Sequence, residues 1–158
     1  MIALLYRSGL RLSEALDLYP KDVDFERSAI RVLNGKRGKS RVSGIDPGAL
    51  TVLQQWVEVR ANCGHDGSRP LFCTSSSERV SNAYIRRRLP VLGRRAGIGK
   101  RVHANGLRHT HAAQLREKGL NIGVISKQLG HSRISTTAHY LDRIAPWTVL
   151  EQLRGRQW

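Results

Sequence analysis

Acidic residues are scarce in this sequence. Asp and Glu number 12 against 27 Lys and Arg, a formal net charge of +15. From Val80 onward the acids are Glu117, Asp142 and Glu151 alone. That shortage points to a polyanionic partner, nucleic acid ahead of a membrane surface. Aromatic residues are few, 6% of the chain, and no aromatic-rich RNA-binding pattern occurs, which sets plain RNA binding well behind DNA. No apolar run is long enough to cross a bilayer. The opening stretch from Met1 to Leu10 lacks the charged start and cleavage site of a signal peptide. A cytoplasmic protein with no membrane partner is therefore expected. Cys63 and Cys73 stand ten apart without a CxxC pair, so they read as reduced thiols in or near a core. A zinc site would have to recruit residues such as His65, and no metal is expected. Repeats and low-complexity linkers are absent too.

What remains suits one globular domain. The chain has 158 residues, 40% of them hydrophobic, enough to bury a core and too many for disorder. Arginine dominates the basic residues, and its planar fork suits phosphate oxygens better than the point charge of lysine.

Pattern and punctuation predict a mainly helical α+β fold. Residues 2–8 read as a short helix ending at Ser8-Gly9, and Ser13 as the cap of a second helix through Leu18, ended by Pro20. Residues 29–33 and 41–45 read as the strands of a hairpin around a basic turn, with Leu71 to Cys73 as a third short strand. Asp46-Pro47 opens a helix with Leu50, Leu53, Trp56 and Val57 inward. Ser81 caps another, with Ile85, Leu89, Leu92 and Ala96 on its apolar stripe and Pro90 placed to kink or split it. Arg86, Arg87, Arg88, Arg94 and Arg95 cover the rest of that surface. Further helices are expected from Gly106 to Lys118, from Asn121 to Gly130, and from Ser135 through Tyr140, with a last amphipathic segment after Pro146.

Four islands carry the chemistry: Ser8-Gly9-Leu10-Arg11-Leu12-Ser13-Glu14; Gly35-Lys36-Arg37-Gly38-Lys39-Ser40-Arg41; Gly106-Leu107-Arg108-His109-Thr110; and Leu129-Gly130-His131 continuing to His139-Tyr140. Together and in this order they resemble the tyrosine recombinases, or phage-type integrases, over nearly the whole chain. The resemblance implies the catalytic-domain fold of that family, with helices around a small three-stranded antiparallel sheet. It implies Arg11, Lys36, Arg108, His131 and Tyr140 as catalytic residues, with Asn105 at a further catalytic position. Glu14, His109 and His139 would support them. Lys39, Arg41, Arg86, Arg87, Arg88, Arg94, Arg95 and Arg133 would contact DNA.

The chemistry explains the residue types. A phosphodiester is anionic and repels nucleophiles, so two arginines on its non-bridging oxygens stabilise the charge of a pentacoordinate phosphorus. Tyrosine, with an ordinary pKa of about 10, must lose its proton as it attacks. The leaving 5′-oxygen needs a proton, which a lysine on a mobile hairpin can deliver. The resemblance implies a 3′-phosphotyrosyl intermediate that conserves bond energy, without ATP, metal or other cofactor. It also implies double-stranded DNA as partner and a tetramer on two DNA sites, the fragment alone being monomeric.

Taken singly, each residue has a structural reading. Arg11 with Glu14 makes a surface ion pair, His131 a histidine at a helix end, and Tyr140 a core residue with a wet hydroxyl.

Two departures stand out. Asn105 occupies the position three before Arg108 where the family usually has histidine. Asparagine can donate to phosphate but cannot relay a proton near neutral pH, and it also reads as the cap of the helix at Gly106. His103 could substitute if its loop turns it inward. Arg11 also falls so early that residues 1–158 read as a single catalytic domain, lacking the family's N-terminal DNA-clamping domain and most of the opening helix. The rival readings are a DNA-binding remnant that does not turn over and a type IB topoisomerase-like enzyme.

Overall fold

The computed structural model describes residues 1–33, 40–131 and 133–138. Helix α1 (Ile2–Ser8) stops at Gly9, whose φ of 66° is left-handed. A Cβ there would stand 2.6 Å from the His111 ring, so glycine is required both by conformation and by space. Helix α2 (Leu12–Leu16) begins one residue before the expected cap. Arg11 holds the extended N-cap backbone, and the Glu14 carboxylate accepts its amide at 2.8 Å. Ser13 is already helical and caps nothing, because the acid three residues into the helix satisfies the orphan amide instead. The helix ends at Leu16 rather than Leu18, and a single 3₁₀ turn (Pro20–Asp22) follows.

Strands β1 (Val23–Asp24), β2 (Ala29–Val32) and β3 (Arg41–Gly44) form one antiparallel sheet in that order. Ile30 faces Val23 on one side and Ser43 on the other. The antiparallel pairing of β2 with β3 is as expected, but the third strand is not. Of Leu71 to Cys73, only Cys73 makes a bridge, to Arg79. Leu71 and Phe72 are buried core residues, held by the Leu71 amide on the Leu18 carbonyl at 2.7 Å and by the Trp56 indole on the Leu71 carbonyl at 2.7 Å. Their apolarity reflects burial beneath a helix, which sequence periodicity does not separate from strand pairing. The true third strand is two residues long, too short for an alternating pattern to show.

Helix α3 (Pro47–Asn62) is capped by Asp46, which accepts from the Ala49 amide at 3.0 Å. Ser81 caps α4 (Asn82–Arg95), which runs on through Pro90 without splitting. Helix α5 (Ala104–Glu117) starts two residues earlier than expected. Its cap is His103, whose Nδ1 accepts from the Gly106 amide at 3.0 Å, and Asn105 lies within the first turn. Helix α6 (Ile122–Leu129), capped by Asn121, ends at Gly130 with φ 66°. Residues 134–138 are helical, so Ser135 lies inside that helix rather than capping it.

The larger core gathers Leu4, Leu5, Leu10, Leu16, Ile30, Val32 and Leu53 from α1 to α3, their turns and the sheet, with Leu71 and Phe72 from the segment after α3. A smaller one joins Ala112, Ile125 and Leu129 of α5 and α6. Gln128 ties the two halves. Its amide nitrogen donates to the Ser8 and Gly44 carbonyls at 2.9 and 2.8 Å, and its oxygen accepts the Gly44 amide at 2.9 Å. Buried Arg60 donates to the carbonyls of Asp66, Arg69 and Pro70, which satisfies a charge that would otherwise be costly inside. Cys63 and Cys73 are both free thiols, and no cluster of metal-ligating side chains occurs among the described residues. Nor is any helix of the described residues long and apolar enough to cross a membrane.

Candidate active site

The site grows from three helix ends. The turn after α1 brings Arg11 to the start of α2. The first turns of α5 carry Asn105 and Arg108. The end of α6 presents the carbonyls of Leu129 and Gly130, followed by His131. Arg108 is only 3% exposed. Its Nη1 donates to the Gly9 carbonyl at 2.5 Å, and its Nη2 to the Leu129 carbonyl at 2.6 Å. The same Nη2 lies 3.1 Å from His131 Nε2. A guanidinium only donates, so Nε2 is the acceptor there. The His131 proton then sits on Nδ1, which is 2.8 Å from the buried Thr137 hydroxyl. The first, third and fourth islands are thereby fastened at one point.

Arg11 lies beside Arg108 because the two grip successive carbonyls. Arg11 Nη2 is 3.4 Å from the Gly130 carbonyl, and its Nη1 is 2.8 Å from Glu14 Oε1. Glu14 is buried, 4% exposed. Burial pushes its carboxyl upward, but hydrogen bonds and charge from Arg41, with the amide and guanidinium of Arg11, outweigh that and hold it down to about 2. His111 sits behind the clamp against Gly9. Burial first, then the Arg108 charge, lowers its pKa to about 4 despite opposing help from Asp46 and the Tyr6 backbone. His109, half-buried, is lowered for the same leading reason, with the charges of His103 and Arg108 adding.

The phage integrase family profile matches residues 1–145 of this sequence. The chain belongs to the phage integrase family. It is 37% identical over 142 residues to the tyrosine recombinase XerC of Mannheimia succiniciproducens, covering 89% of this chain and 47% of that protein. The chain thus spans about half the length of the curated relatives it matches. Among solved structures, a crystal structure of XerA recombinase superposes with a TM-score of 0.86 at 28% identity, covering 99% of this chain and 57% of the other. XerH site-specific recombinase, bound to palindromic difH substrate in a post-cleavage complex, superposes at 0.76 and 25% identity, covering 97% and 43%. The fold is the tyrosine-recombinase catalytic-domain fold, mainly helical with a small three-stranded antiparallel sheet.

In this integrase-family domain Arg11 opens onto a basic cleft of about 540 Å³. Arg11, Ser13, Asn82, Arg86, Arg101 and His103 line it, and Asn105 joins them. His103 therefore does face the cleft, but with Nδ1 committed as a helix cap its Nε2 carries the ring proton, so it can donate to an anion and cannot act as a base. Arg101, Asn82 and Ser13 were not anticipated. Arg101 belongs to the basic pair Lys100-Arg101 just before α5, and Ser13 lies in the first island, where it reads as a cap; Asn82 carries no local signal. Arg86, Arg87, Arg88, Arg94 and Arg95 are all exposed along α4, as is Arg133. Of the α4 arginines, only Arg86 lines this cleft.

Arg41 departs from expectation. Its side chain is 13% exposed, and its Nη1 and Nη2 donate to Glu14 Oε1 and Oε2, each at 2.8 Å. It is an internal ion-pair partner of Glu14. Lys36, Lys39, His139 and Tyr140 lie outside the described residues.

Proposed function

We propose that this chain is the catalytic domain of a site-specific DNA recombinase, residues 1–158 forming one unit with Tyr140 as nucleophile. The observation that carries the reading is the pair of guanidiniums, Arg11 and Arg108, gripping successive carbonyls, with Arg11 lining a basic cleft. Two forks already held in place lose little entropy on meeting a phosphate, and they neutralise charge as it builds. Donors fixed by backbone carbonyls need no reorganisation at the moment of reaction.

In the proposed reaction the Tyr140 oxygen attacks the phosphorus and the bond to the 5′-oxygen breaks. Lys36 gives that oxygen its proton. His131, accepting from Arg108, orients the arginine, and the Tyr140 proton passes to solvent as the new bond forms. Asn105 and His103 donate to non-bridging oxygens. The reverse attack by a 5′-hydroxyl rejoins a strand without ATP or metal. Duplex DNA is the proposed partner, and four protomers on two sites the working assembly.

Covalent trapping on nicked suicide DNA tests this, since the freed 5′ fragment diffuses away and leaves a protein–DNA band that survives denaturation. Wild type should give the band, and Tyr140→Phe should lose it while still binding DNA. Loss of binding in Tyr140→Phe would show the hydroxyl to be structural. One observation favours a second reading. Asn105 stands in the cleft, and it cannot relay protons. A band in Asn105→His alone would establish a DNA-binding remnant with a disabled proton-handling position.

A further inference from the structure

Arg41 does more than fill space. The buried carboxylate of Glu14 accepts from the Arg11 amide and guanidinium on one side and from both Nη atoms of Arg41 on the other, all four at 2.8 Å. The opposite wall is Gly130, where a Cβ would fall 2.6 Å from Arg41 Nε, and the Gly130 carbonyl faces Arg11. Arg41 thus lies at the junction of three islands. It also opens β3, two residues after Lys39 in the sequence.

Charge accounting gives this position a purpose. Arg11 paired with Glu14 alone is neutral and would attract a phosphate weakly. Adding Arg41 leaves the trio at +1, so Arg11 keeps its attraction for an anion while Glu14 still fixes its direction. Without Arg41 the unmatched carboxylate would draw the Arg11 guanidinium onto itself and away from the cleft. Lysine cannot replace it, because a single ammonium does not span both carboxylate oxygens with fixed geometry.

We propose that Arg41 is a positioning residue, which by forking onto Glu14 keeps Arg11 aimed at the scissile phosphate; this rests on the recombinase reading above. The test is single-turnover cleavage of nicked DNA together with DNA affinity, in Arg41→Ala, Arg41→Lys, Glu14→Gln and the Arg41→Ala/Glu14→Gln double variant. Arg41→Ala should slow cleavage by about 100-fold, as small misplacements of a reacting group do, with affinity nearly unchanged. Arg41→Lys should recover little of this, whereas added guanidinium ion should recover part of it in Arg41→Ala. Glu14→Gln added to Arg41→Ala should bring no further loss, since it removes the stranded charge through which the defect acts. Matching losses of affinity and rate, or strictly additive losses in the double variant, would overturn the proposal in favour of a direct DNA contact. If Arg41→Ala does not fold, Arg41→Lys carries the same comparison: wild-type rates in that variant overturn the requirement for the fork. If wild type forms no adduct, the cleavage reading itself has failed. The positioning inference is then decided by the Arg11 guanidinium NMR signals, which should shift and exchange faster in the Arg41 variants; unchanged signals would refute it.

Discussion

Two groups of arginines in this protein do opposite things with the same side chain. Arg108 and Arg41 are turned inward, and their guanidiniums meet carbonyls or a carboxylate of the chain itself. The arginines of α4 point to solvent, and among the described residues none of them makes an ion pair. The first arrangement spends donors on the fold and in return holds a fork rigid. The second keeps every donor available and keeps the side chains mobile. On the proposed recombinase reading, rigid forks suit building and aiming the site at one reacting phosphate, and mobile ones suit the many phosphates that only need neutralising.

The sharpest way to break this contrast is Arg108→Ala. It should cost the fold about 3 kcal/mol, because the Gly9 and Leu129 carbonyls are left buried without a donor. It should also slow cleavage by about 1000-fold, as loss of a transition-state donor does. Thermal melting and single-turnover trapping read the two effects. A stable Arg108→Ala protein that binds DNA normally would show that the inward arginine is no part of the fold.

Acid should separate the two groups next. Glu14 is held below its ordinary value of 4.5, down to about 2. Its stabilising contribution is full above the unfolded value and is lost as pH falls through the folded one. His111 is also lowered, from 6.5 to about 4. The unfolded chain therefore takes up that proton first, and stability falls as pH drops from 6.5 toward 4. Denaturant titrations should show one decline over that upper window and a second from about pH 4.5 to 2. Glu14→Gln should remove the lower decline and His111→Phe the upper. Alanine replacements on α4 should alter neither.

The smallest effect is expected on α4. Arg87 and Arg94 lie two helical turns apart on one line of that helix. Replacing both by alanine should shift stability by no more than about 0.5 kcal/mol. The logarithmic salt slope of DNA binding should fall by about 1 for each phosphate contact removed. An unchanged slope would place the DNA on another face, with Arg86, Arg101 and Arg133 as the next candidates.

Much of the helical frame was legible in the residues. Asp46, Ser81 and Asn121 cap where short polar side chains should, because an N-cap is decided by a few neighbouring groups. Ser13 and Asn105 look like caps for the same reason and are not. Glu14 and His103, each offering an acceptor to a nearby amide, displaced them, and only the folded geometry decides between such rivals. The pairing of Leu71 to Cys73 was misread because a buried apolar run looks the same beneath a helix as in a sheet.

The sequence by itself determined the family and the basic character, and put Arg11 and Arg108 forward as the proposed clamp. These follow from residue types at fixed local spacings. Only the tertiary structure decided which arginines face inward. Arg11, Arg41 and Arg108 are separated along the chain by about the spans that part their islands, and nothing local distinguishes Arg41 from Arg86. Glu14 meets Arg11 locally, but Glu14 reaches Arg41, and Gly9, Leu129 and Gly130 reach Arg108 and Arg11, only after α1, α5, α6 and β3 have packed. A buried guanidinium is tolerated where carbonyls and a carboxylate converge on it, and such convergence is a property of packing, not of sequence spacing.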